Sequence, residues 1–407
     1  MEILPIIYLA YMFIAIYFLA FFLILFFRNR KELFYYPPIT KNYSISVLVP
    51  AWNEEETIKD TIEAIFFSTY PIEELIVIND GSTDSTAKIV EKLQKKYPNL
   101  KLLNKKNSGK ADSLNQGIKI AKGELIAVVD ADSYPDRDSF EKLVGFFDDK
   151  KTGVATCFIV PKNANTFLEK MQVIEYNVIA FTRKLLGFVD AIYVTPGPLA
   201  LYRKSALLEI GGFDKKNLTE DIEATWHLTA KGYERRMTLD SKVKTTVPLE
   251  YKKWFNQRKR WSIGGQQCIL KYLKHFFKRG MLGMFILPFF ILQLSMGVFG
   301  MGIFAYLTIR KFLDKYIFIK YSLGLGSPVL TMNTLHITPS FLNYLGIILF
   351  FLGGFFTIMV LYVMKDSILK KQNIFKILFY FVLYLPVYPF ITMTALYNHI
   401  KGNRKWR

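Results

Sequence analysis

Three blocks of sequence decide the fold: SISVLVPAWNEE at residues 44–55, ELIVINDGSTD at 74–84 and ELIAVVDAD at 124–132. Each opens with a short apolar run rich in Val, Ile and Leu, which is typical of a strand buried on both faces of a parallel sheet. A shorter fourth strand is expected at residues 101–103. Stretches with helical patterning lie between the strands, at residues 54–67, 85–96 and 110–121. Because strands alternate with helices, the sequence predicts an α/β domain with a mainly parallel sheet.

Each block runs from its apolar stretch into polar residues, and ligands of such sheets bind outside the carboxyl ends of the strands. The first strand runs into Asn-Glu-Glu, the second ends at Asp80, and the last is followed by Asp130 and Asp132. A Gly-Ser turn follows Asp80, so we expect this carboxylate to accept hydrogen bonds from a bound base or ribose. Asp84, in contrast, is expected to cap the helix at residues 85–96.

Asp130 and Asp132 have the spacing of a cation site. Two carboxylates at the end of one strand can hold Mg²⁺ or Mn²⁺, which prefer oxygen ligands and bridge to phosphates. Such a cation would neutralise charge on a departing diphosphate. Lys110, in Ser-Gly-Lys, either contacts phosphate or simply begins a helix, because the complete phosphate-loop motif is absent.

Four uncharged stretches are long enough to cross a bilayer, which takes about 20 residues in a helix. We predict membrane segments at residues 3–27, 281–309, 337–364 and 377–398. Two prolines, Pro386 and Pro389, interrupt the last stretch, which is therefore predicted to be either spanning or re-entrant. The polar region at residues 40–250 is predicted to be one soluble domain.

The chain is strongly basic, with 53 Lys and Arg against 34 Asp and Glu and a formal net charge of +19. Much of this charge flanks the apolar stretches, at Arg28, Arg30 and Lys31 and again at residues 271–279. This distribution favours contact with anionic lipid headgroups and a cytoplasmic domain. Nucleic acid is not an expected partner, because no recognition motif accompanies the charge. Two cysteines indicate no disulfide framework, and the four histidines show no metal-ligand spacing.

Two amphipathic helices are expected beside the domain. The first carries one apolar stripe, formed by Phe167, Met171, Ile174, Val178, Phe181 and Leu185. It either packs on its own domain or lies on the bilayer. The second is the region at residues 251–280, which leads directly into the second membrane segment and is predicted to be interfacial.

Taken in order, the three blocks and NSGKADSLNQG at residues 107–117 resemble the nucleotide-binding half of the family 2 glycosyltransferases, which have the GT-A fold. Three later motifs extend the resemblance. TPGPLALYRK at 195–204 is similar to the acceptor-side segment of hyaluronan and chitin-oligomer synthases. TEDIE at 219–223 resembles the T/S-E-D motif, and QRKRW at 257–261 the Q-x-x-R-W signature of processive polysaccharide synthases. The resemblance covers about residues 44–270.

The resemblance implies a role for each matching position. The residues that would contact the nucleotide-sugar are Ala51, Asn53, Glu54, Asp80, Lys110, Asp130, Gln257 and Arg260. Asp130 and Asp132 would hold the Mg²⁺ or Mn²⁺. Asp221, beside Glu220, would be the general base, although it could instead cap the helix expected at residues 221–230. The residues that would contact the acceptor are Pro196, Gly197, Pro198 and Trp261, with membrane anchoring as the alternative for the tryptophan.

The function implied is inverting, metal-dependent transfer of a hexose from a UDP-sugar to a growing β-linked glycan. N-acetylglucosamine is the expected sugar, because TEDIEATW and QRKRWSIGG look most like poly-N-acetylglucosamine synthases. One alternative is transfer from a UDP-sugar to a polyprenyl phosphate or another lipid-linked acceptor, against which QRKRW argues. The other is a non-catalytic membrane scaffold or transporter, against which the intact acidic motifs argue.

The expected location is the cell membrane, with several spans and a cytoplasmic catalytic domain. The expected partners are a UDP-sugar donor, a glycan acceptor and the lipid bilayer. Four helices are few for enclosing a glycan channel, so a second copy of the chain or an export partner is also expected.

Overall fold

An eight-stranded sheet lies at the centre of the chain. The computed structural model describes residues 3–278, 280–325, 341–364 and 374–402. The strands are β1 Ile45–Ala51, β2 Glu74–Asp80, β3 Leu100–Lys105, β4 Leu125–Val128, β5 Ser133–Pro135, β6 Thr152–Pro161, β7 Ala200–Arg203 and β8 Glu234–Thr245. Their order in the sheet is β3-β2-β1-β4-β7-β6-β8-β5.

The sheet has a parallel half and a mixed half. β1 pairs in parallel with both β2 and β4, and β2 pairs in parallel with β3. These are the four strands predicted from the sequence, so the α/β class is confirmed. In the other half, β7 is antiparallel to β4 and β6, β6 is parallel to β8, and β5 is antiparallel to β8. The parallel half brings the carboxyl ends of β1, β2 and β4 to one edge.

Helices cover the sheet and extend away from it. They are α1 Ile3–Asn29, α2 Ile58–Phe66, α3 Thr86–Gln94, α4 Lys110–Ile120, α5 Glu141–Val144, α6 Phe167–Gly187, α7 Lys204–Glu209, α8 Glu220–Ala230, α9 Tyr251–Tyr272, α10 Leu287–Gly324, α11 Phe341–Val363, α12 Ile374–Phe379 and α13 Val387–Ile400. The three helices predicted between the first strands are confirmed as α2, α3 and α4. Asp84 immediately precedes Ser85, which occupies the capping position of α3, and it accepts hydrogen bonds from the amide and hydroxyl of Thr86 at 3.0 and 2.6 Å. Asp84 therefore satisfies the first amide of the helix from one position outside the cap.

Alternate side chains of β1 pack on opposite faces of the sheet. Val47 contributes to the core that includes Ile62 of α2, and Leu48 to the core that includes Leu114 of α4. These four side chains are fully buried, and each stabilises the fold by about 1.5–3 kcal/mol. A Cβ added at Gly117 of α4 would lie 3.0 Å from Leu48 Cδ2, closer than most Cβ contacts, so the side chain of Leu48 would have to shift to accept it.

Three helical segments in the described part of the chain are long and apolar enough to cross a membrane: Pro5–Asn29, Leu282–Gly324 and Ile374–Ile400. The second continues beyond residue 309, where the uncharged stretch ends. A shorter apolar helix covers Ile347–Val363, while residues 337–340 of the third predicted segment lie outside the described residues. In the last segment a π-helical turn, Tyr380–Tyr384, separates α12 from α13, and Pro386 immediately precedes α13.

The amphipathic helix α6 lies between the sheet and the membrane helices. Four residues of its predicted stripe, Met171, Ile174, Phe181 and Leu185, are buried. They share hydrophobic clusters with residues of β6 and β8 and with residues of α1 and α11. The helix therefore packs on its own domain, and the same clusters continue into the membrane helices. α9 packs against α8, α10 and α13.

Candidate active site

One large cavity, of about 1410 Å³, opens at the carboxyl ends of β1, β2 and β4. From there it passes the N-termini of α4 and α8 and runs along α6 and α9. It ends between α10 and α13, where Phe290, Gln293, Gly297 and Thr392 line it. The cavity thus joins the nucleotide end expected from the sequence to the membrane helices.

The residues at the ends of β1 and β2 are tied to one another. Asn53 has a left-handed backbone with φ of 55°, and its Oδ1 accepts the amide of Thr83 at 2.8 Å. Asp80 lines the cavity, but it accepts the amides of Ser108 and Gly109 at 2.9 and 2.8 Å and also pairs with Lys105. Both side chains therefore shape the nucleotide end by holding its loops, and contact of either residue with a bound base or ribose stays a prediction.

Ala51 and Glu54 form the wall of this end of the cavity. Ala51 is the last residue of β1 and is almost fully buried. Glu54 accepts a hydrogen bond from the hydroxyl of Thr57 at 2.7 Å, and burial raises the pKa of its carboxyl group.

Lys110 connects the two halves of the site. Its Nζ lies 2.6 Å from Asp130 Oδ1 and 2.9 Å from Glu220 Oε1. Burial alone would lower the pKa of Lys110, but the charges of Asp130 and Glu220 hold it well above its usual value. Lys110 is also the first residue of α4, so the predicted helix start is confirmed, and its contact with phosphate stays a prediction.

Gly197 lies against this ion pair. A Cβ at this position would be 2.5 Å from Lys110 Nζ and 2.8 Å from Asp130 Oδ2. Real Cβ atoms do not approach so closely, so any other residue at this position would have to displace the side chains of Lys110 and Asp130. Its neighbours Pro196 and Pro198 line the cavity as well.

Asp130 and Asp132 present carboxylates to the same part of the cavity. Burial and the charges of Asp130 and Glu54 raise the pKa of Asp132 to about 7. Negative charge is therefore in excess here, which a divalent cation would relieve. Among the residues described, no three His, Cys, Asp or Glu side chains cluster closely enough to bind a metal alone. The donor set fits Mg²⁺ or Mn²⁺, for which one or two carboxylates plus substrate phosphates and water suffice.

Two adjacent carboxylates at the start of α8 differ in proton affinity. Burial would raise the pKa of Glu220, but Lys110 lowers it below its usual range. Burial and the charge of Glu220 raise the pKa of Asp221 to about 6. Because α8 begins at Glu220 and Thr219 occupies the capping position, Asp221 is not the capping residue. A carboxylate with this pKa is ionised at neutral pH and can still accept a proton.

Gln257, Arg260 and Trp261 line the cavity from α9. The positive charge of Arg260 favours the ionised forms of Glu220 and Asp221, and for Asp221 it partly opposes the rise in pKa caused by burial. The guanidinium therefore acts on both carboxylates. The guanidinium of Arg258 lies over the indole of Trp261, with its carbon 4.4 Å from the ring centroid. Because Trp261 also lines the cavity, its indole is in a position to contact an acceptor sugar.

A buried polar cluster behind Trp261 was not expected from the sequence. Arg258 donates to both carboxylate oxygens of Glu175, at 3.1 and 2.7 Å, in a bidentate ion pair. The hydroxyl of Tyr384 donates to the same carboxylate at 2.5 Å, and Tyr388 donates to it as well. Glu175, an acidic residue in the middle of the apolar pattern of α6, was the available signal. Arg183, also on α6, was missed too, and it lines the cavity.

Comparison with known proteins agrees with this geometry. Residues 46–211 match the family model described as Glycosyl transferase family 2. The chain is 32% identical over 288 residues to a poly-beta-1,6-N-acetyl-D-glucosamine synthase of Staphylococcus epidermidis, covering 69% of each chain. It is 33% identical over 229 residues to the synthase of the same name from Staphylococcus aureus strain COL, covering 56% of each.

A solved structure supports the fold. The mannosyltransferase PcManGT from Pyrobaculum calidifontis, in complex with GDP-Man and Mn²⁺, matches 97% of this chain and 99% of its own, with a TM-score of 0.62. At 18% identity this likeness concerns the fold alone. The sequence match, the shared fold and the arrangement of acidic motifs around one cavity lead to the same conclusion. The chain belongs to the family 2 glycosyltransferases, and it is a membrane-associated sugar-transferring enzyme with a GT-A-type α/β domain.

Proposed function

We propose that this enzyme transfers N-acetylglucosamine from UDP-N-acetylglucosamine to a growing β-linked glycan at the membrane, with inversion at the anomeric carbon. The observation that carries the proposal is that Asp221 and Trp261 line the same cavity as the nucleotide end, with the charges of Lys110 and Arg260 both acting on Asp221. Support for the sugar comes from the relatives, which are poly-beta-1,6-N-acetyl-D-glucosamine synthases.

Asp221 is the proposed general base. Inverting transfer by direct displacement needs a group that takes the proton of the acceptor hydroxyl as that oxygen attacks. The pKa of Asp221, raised to about 6, leaves it ionised at neutral pH and basic enough for this role. Glu220, kept ionised by Lys110, raises the proton affinity of its neighbour without itself competing for the proton.

The donor diphosphate is assigned to the region between Asp130 and Arg260. Asp130 and Asp132 would hold Mg²⁺ or Mn²⁺, which when bound supplies positive charge to the leaving diphosphate. Arg260 offers a planar pair of donors to phosphate oxygens, and Gln257 lies one helical turn before it on α9. Lys110 adds a point charge on the opposite wall. Ala51 and Glu54 are assigned to the uridine, with Asn53 and Asp80 shaping its pocket.

The acceptor is assigned to the part of the cavity that faces the membrane helices. Trp261 offers an aromatic face for a sugar ring, and the segment Pro196–Gly197–Pro198 forms the adjoining wall. Beyond them the cavity continues to Gln293 and Gly297 of α10, which leaves room for sugars already added.

The enzyme is proposed to be a multi-pass protein of the cell membrane with residues 40–250 in the cytoplasm. Residues 251–280 would lie at the interface, and segments 3–27, 281–309, 337–364 and 377–398 within the membrane. Arg28, Arg30 and Lys31 support this orientation, since they follow the first segment on the side of the domain. Self-association or an export partner would complete the path of the glycan.

The test uses the purified full-length chain in lipid nanodiscs with Mg²⁺ or Mn²⁺ and a panel of UDP-N-acetylglucosamine, UDP-N-acetylgalactosamine, UDP-glucose and GDP-mannose. We expect nucleotide release and a polymeric product with UDP-N-acetylglucosamine alone, the product being sized by gel filtration. A product consisting of one sugar on an extracted lipid phosphate would refute polymer synthesis. Preferential use of another donor would refute the sugar assignment.

A further inference from the structure

Arg183 is a buried arginine that lines the cavity and has no partner in the described part of the chain. It belongs to the last turns of α6 and is 6% exposed. Its Nε–H is buried and donates to nothing there, and no carboxylate lies within ion-pair distance of its guanidinium. Ile179 and Ala180, one turn earlier, and Tyr193 line the same part of the cavity.

Within the described ranges the other deeply buried arginines, Arg235 and Arg258, have hydrogen-bond acceptors, so Arg183 is the exception among them. Arg258 makes the bidentate pair with Glu175. Arg235 donates to the carbonyl of Tyr233 at 2.7 Å and lies 3.4 Å from a carboxylate oxygen of Asp190. A largely buried guanidinium without protein acceptors is unfavourable, because its charge and its buried Nε–H have lost water without a compensating hydrogen bond. The hydrogen-bond acceptor for Arg183 therefore has to come from the ligand that fills the cavity.

The position of Arg183 places this hydrogen-bond acceptor in the part of the cavity that faces the membrane helices. Residues of β1, β2 and α4 form the nucleotide end, whereas Arg183 projects from α6, which packs on the membrane helices α1 and α11. The charge of Asp221 still acts on the guanidinium, so the two side chains serve neighbouring parts of the cavity.

The charge of Asp221 already acts on the guanidinium of Arg183, so the ligand of Arg183 has to supply a hydrogen-bond acceptor rather than a further negative charge. Six carboxylates line the cavity, those of Glu54, Asp80, Asp130, Asp132, Glu220 and Asp221, and six cationic side chains line it too, those of Lys110, Arg183, Lys215, Lys216, Arg258 and Arg260. A donor diphosphate adds further negative charge, so a second phosphate on the acceptor would be repelled. In a neutral sugar, the carbonyl oxygen of an acetamido group is the strongest acceptor, and its two lone pairs suit a guanidinium.

We propose that Arg183 donates hydrogen bonds to the acetamido carbonyl of an acceptor sugar, and so selects N-acetylated glycan as the acceptor. This inference rests on the proposed function and specifies its acceptor site. Burial, which lowers the pKa of Arg183, also makes a second positive charge beside it unfavourable. A de-N-acetylated acceptor, whose amine is partly protonated at pH 7, should therefore be doubly disfavoured.

The test compares a short β-linked N-acetylglucosamine oligosaccharide with the same oligosaccharide after de-N-acetylation, at pH 7 and saturating donor. Wild-type enzyme should prefer the acetylated acceptor. Arg183→Met should lower kcat/KM for it by about 10- to 100-fold, the range for a hydrogen bond from a charged donor. The same variant should use the de-N-acetylated acceptor as well as wild type or better, and should still release UDP to water.

Lys184→Met is the matched control. It removes the adjacent buried cation of α6, whose Nζ donates to the carbonyl of Met237 at 2.7 Å and does not line the cavity. We expect this variant to keep the wild-type ratio of the two acceptors. Equal losses with both acceptors in Arg183→Met, or an altered ratio in Lys184→Met, would overturn the inference.

Two further measurements cover a loss of catalysis in Arg183→Met and the use of another donor by the wild-type enzyme. If Arg183→Met also loses UDP release, Arg183→Lys is measured instead, and an unchanged acceptor ratio in that variant overturns the assignment. If wild-type enzyme uses a different donor, the proposed function fails, and the acceptor ratio is measured with the donor that is used. Transfer to added polyprenyl phosphate that depends on Arg183 would replace the acetamido assignment with an anionic one.

Discussion

Activity should fall as the pH drops through 6, because Asp221 must be ionised to take the proton of the acceptor hydroxyl. Burial and the charge of Glu220 raise the pKa of this carboxyl group to about 6. A single base with that pKa leaves about one-tenth of the plateau rate at pH 5 and about nine-tenths at pH 7. Asp221→Asn keeps the shape of the side chain but removes the base, so kcat should fall at least about 100-fold.

The assay is UDP release between pH 5 and pH 8, with acceptor, UDP-N-acetylglucosamine and divalent cation all saturating. Burial and neighbouring charges also raise the pKa of Asp132, to about 7, so protons and cations would compete there. Repeating the profile at several cation concentrations separates the two groups. If the pH at which activity falls shifts with cation concentration, the fall is due to Asp132. If that pH stays the same, the fall is due to Asp221.

Asp214→Asn is the matched control, because Asp214 pairs with Lys271 at 2.6 Å and does not line the cavity. This variant should keep the wild-type profile. The assignment of Asp221 is refuted if the residual activity of Asp221→Asn shows the same acidic limb. It is also refuted if that variant fails to bind the donor.

Three further changes should separate the remaining roles. Excess EDTA or Asp132→Ala should abolish UDP release, since the diphosphate would lose its neutralising cation; full activity in EDTA would contradict this. Trp261→Ala should shorten the product about tenfold on gel filtration while release of UDP to water persists, because loss of an aromatic contact weakens retention of the acceptor. A product of normal length would exclude that role. Gly197→Ala should lower kcat about tenfold or more, since the added methyl group would overlap Lys110 Nζ and displace it; a wild-type rate would show that the segment can move aside.

The parallel half of the sheet could be predicted because its information is local. Single helices separate the successive strands β1, β2, β3 and β4, and the apolar runs of β1, β2 and β4 each lead into the polar residues that form the site. The mixed half could not be predicted in this way. β6 and β8 pair Val154 with Arg235 across about 80 residues of sequence, with register shifts at two places. No short pattern encodes such a pairing.

The acidic motifs could also be predicted from local sequence, but the residues that pair with them in the fold could not. Ser108 and Gly109 direct their amides at Asp80, for which the sequence indicated only a bound base or ribose as partner. The ion pair between Glu175 and Arg258 joins residues 83 positions apart. Arg183 illustrates the same limit, because the lack of an acceptor around a guanidinium is a property of the folded neighbourhood and cannot be read from the order of residues.

The contacts of the Glu175 carboxylate bear on whether the catalytic domain can be separated from the carboxyl-terminal helices. Two of its donors, the hydroxyls of Tyr384 and Tyr388, come from the last apolar segment, and one donor, Arg258, comes from the helix that carries Trp261. A chain cut before residue 374 would leave this buried acid with the arginine alone and would expose the surface of α9 that α13 now covers. The catalytic part is therefore not an independent soluble module joined to a passive anchor. Its acceptor side is completed by the polypeptide's own carboxyl-terminal helices, and it can be assembled only after these have been synthesised.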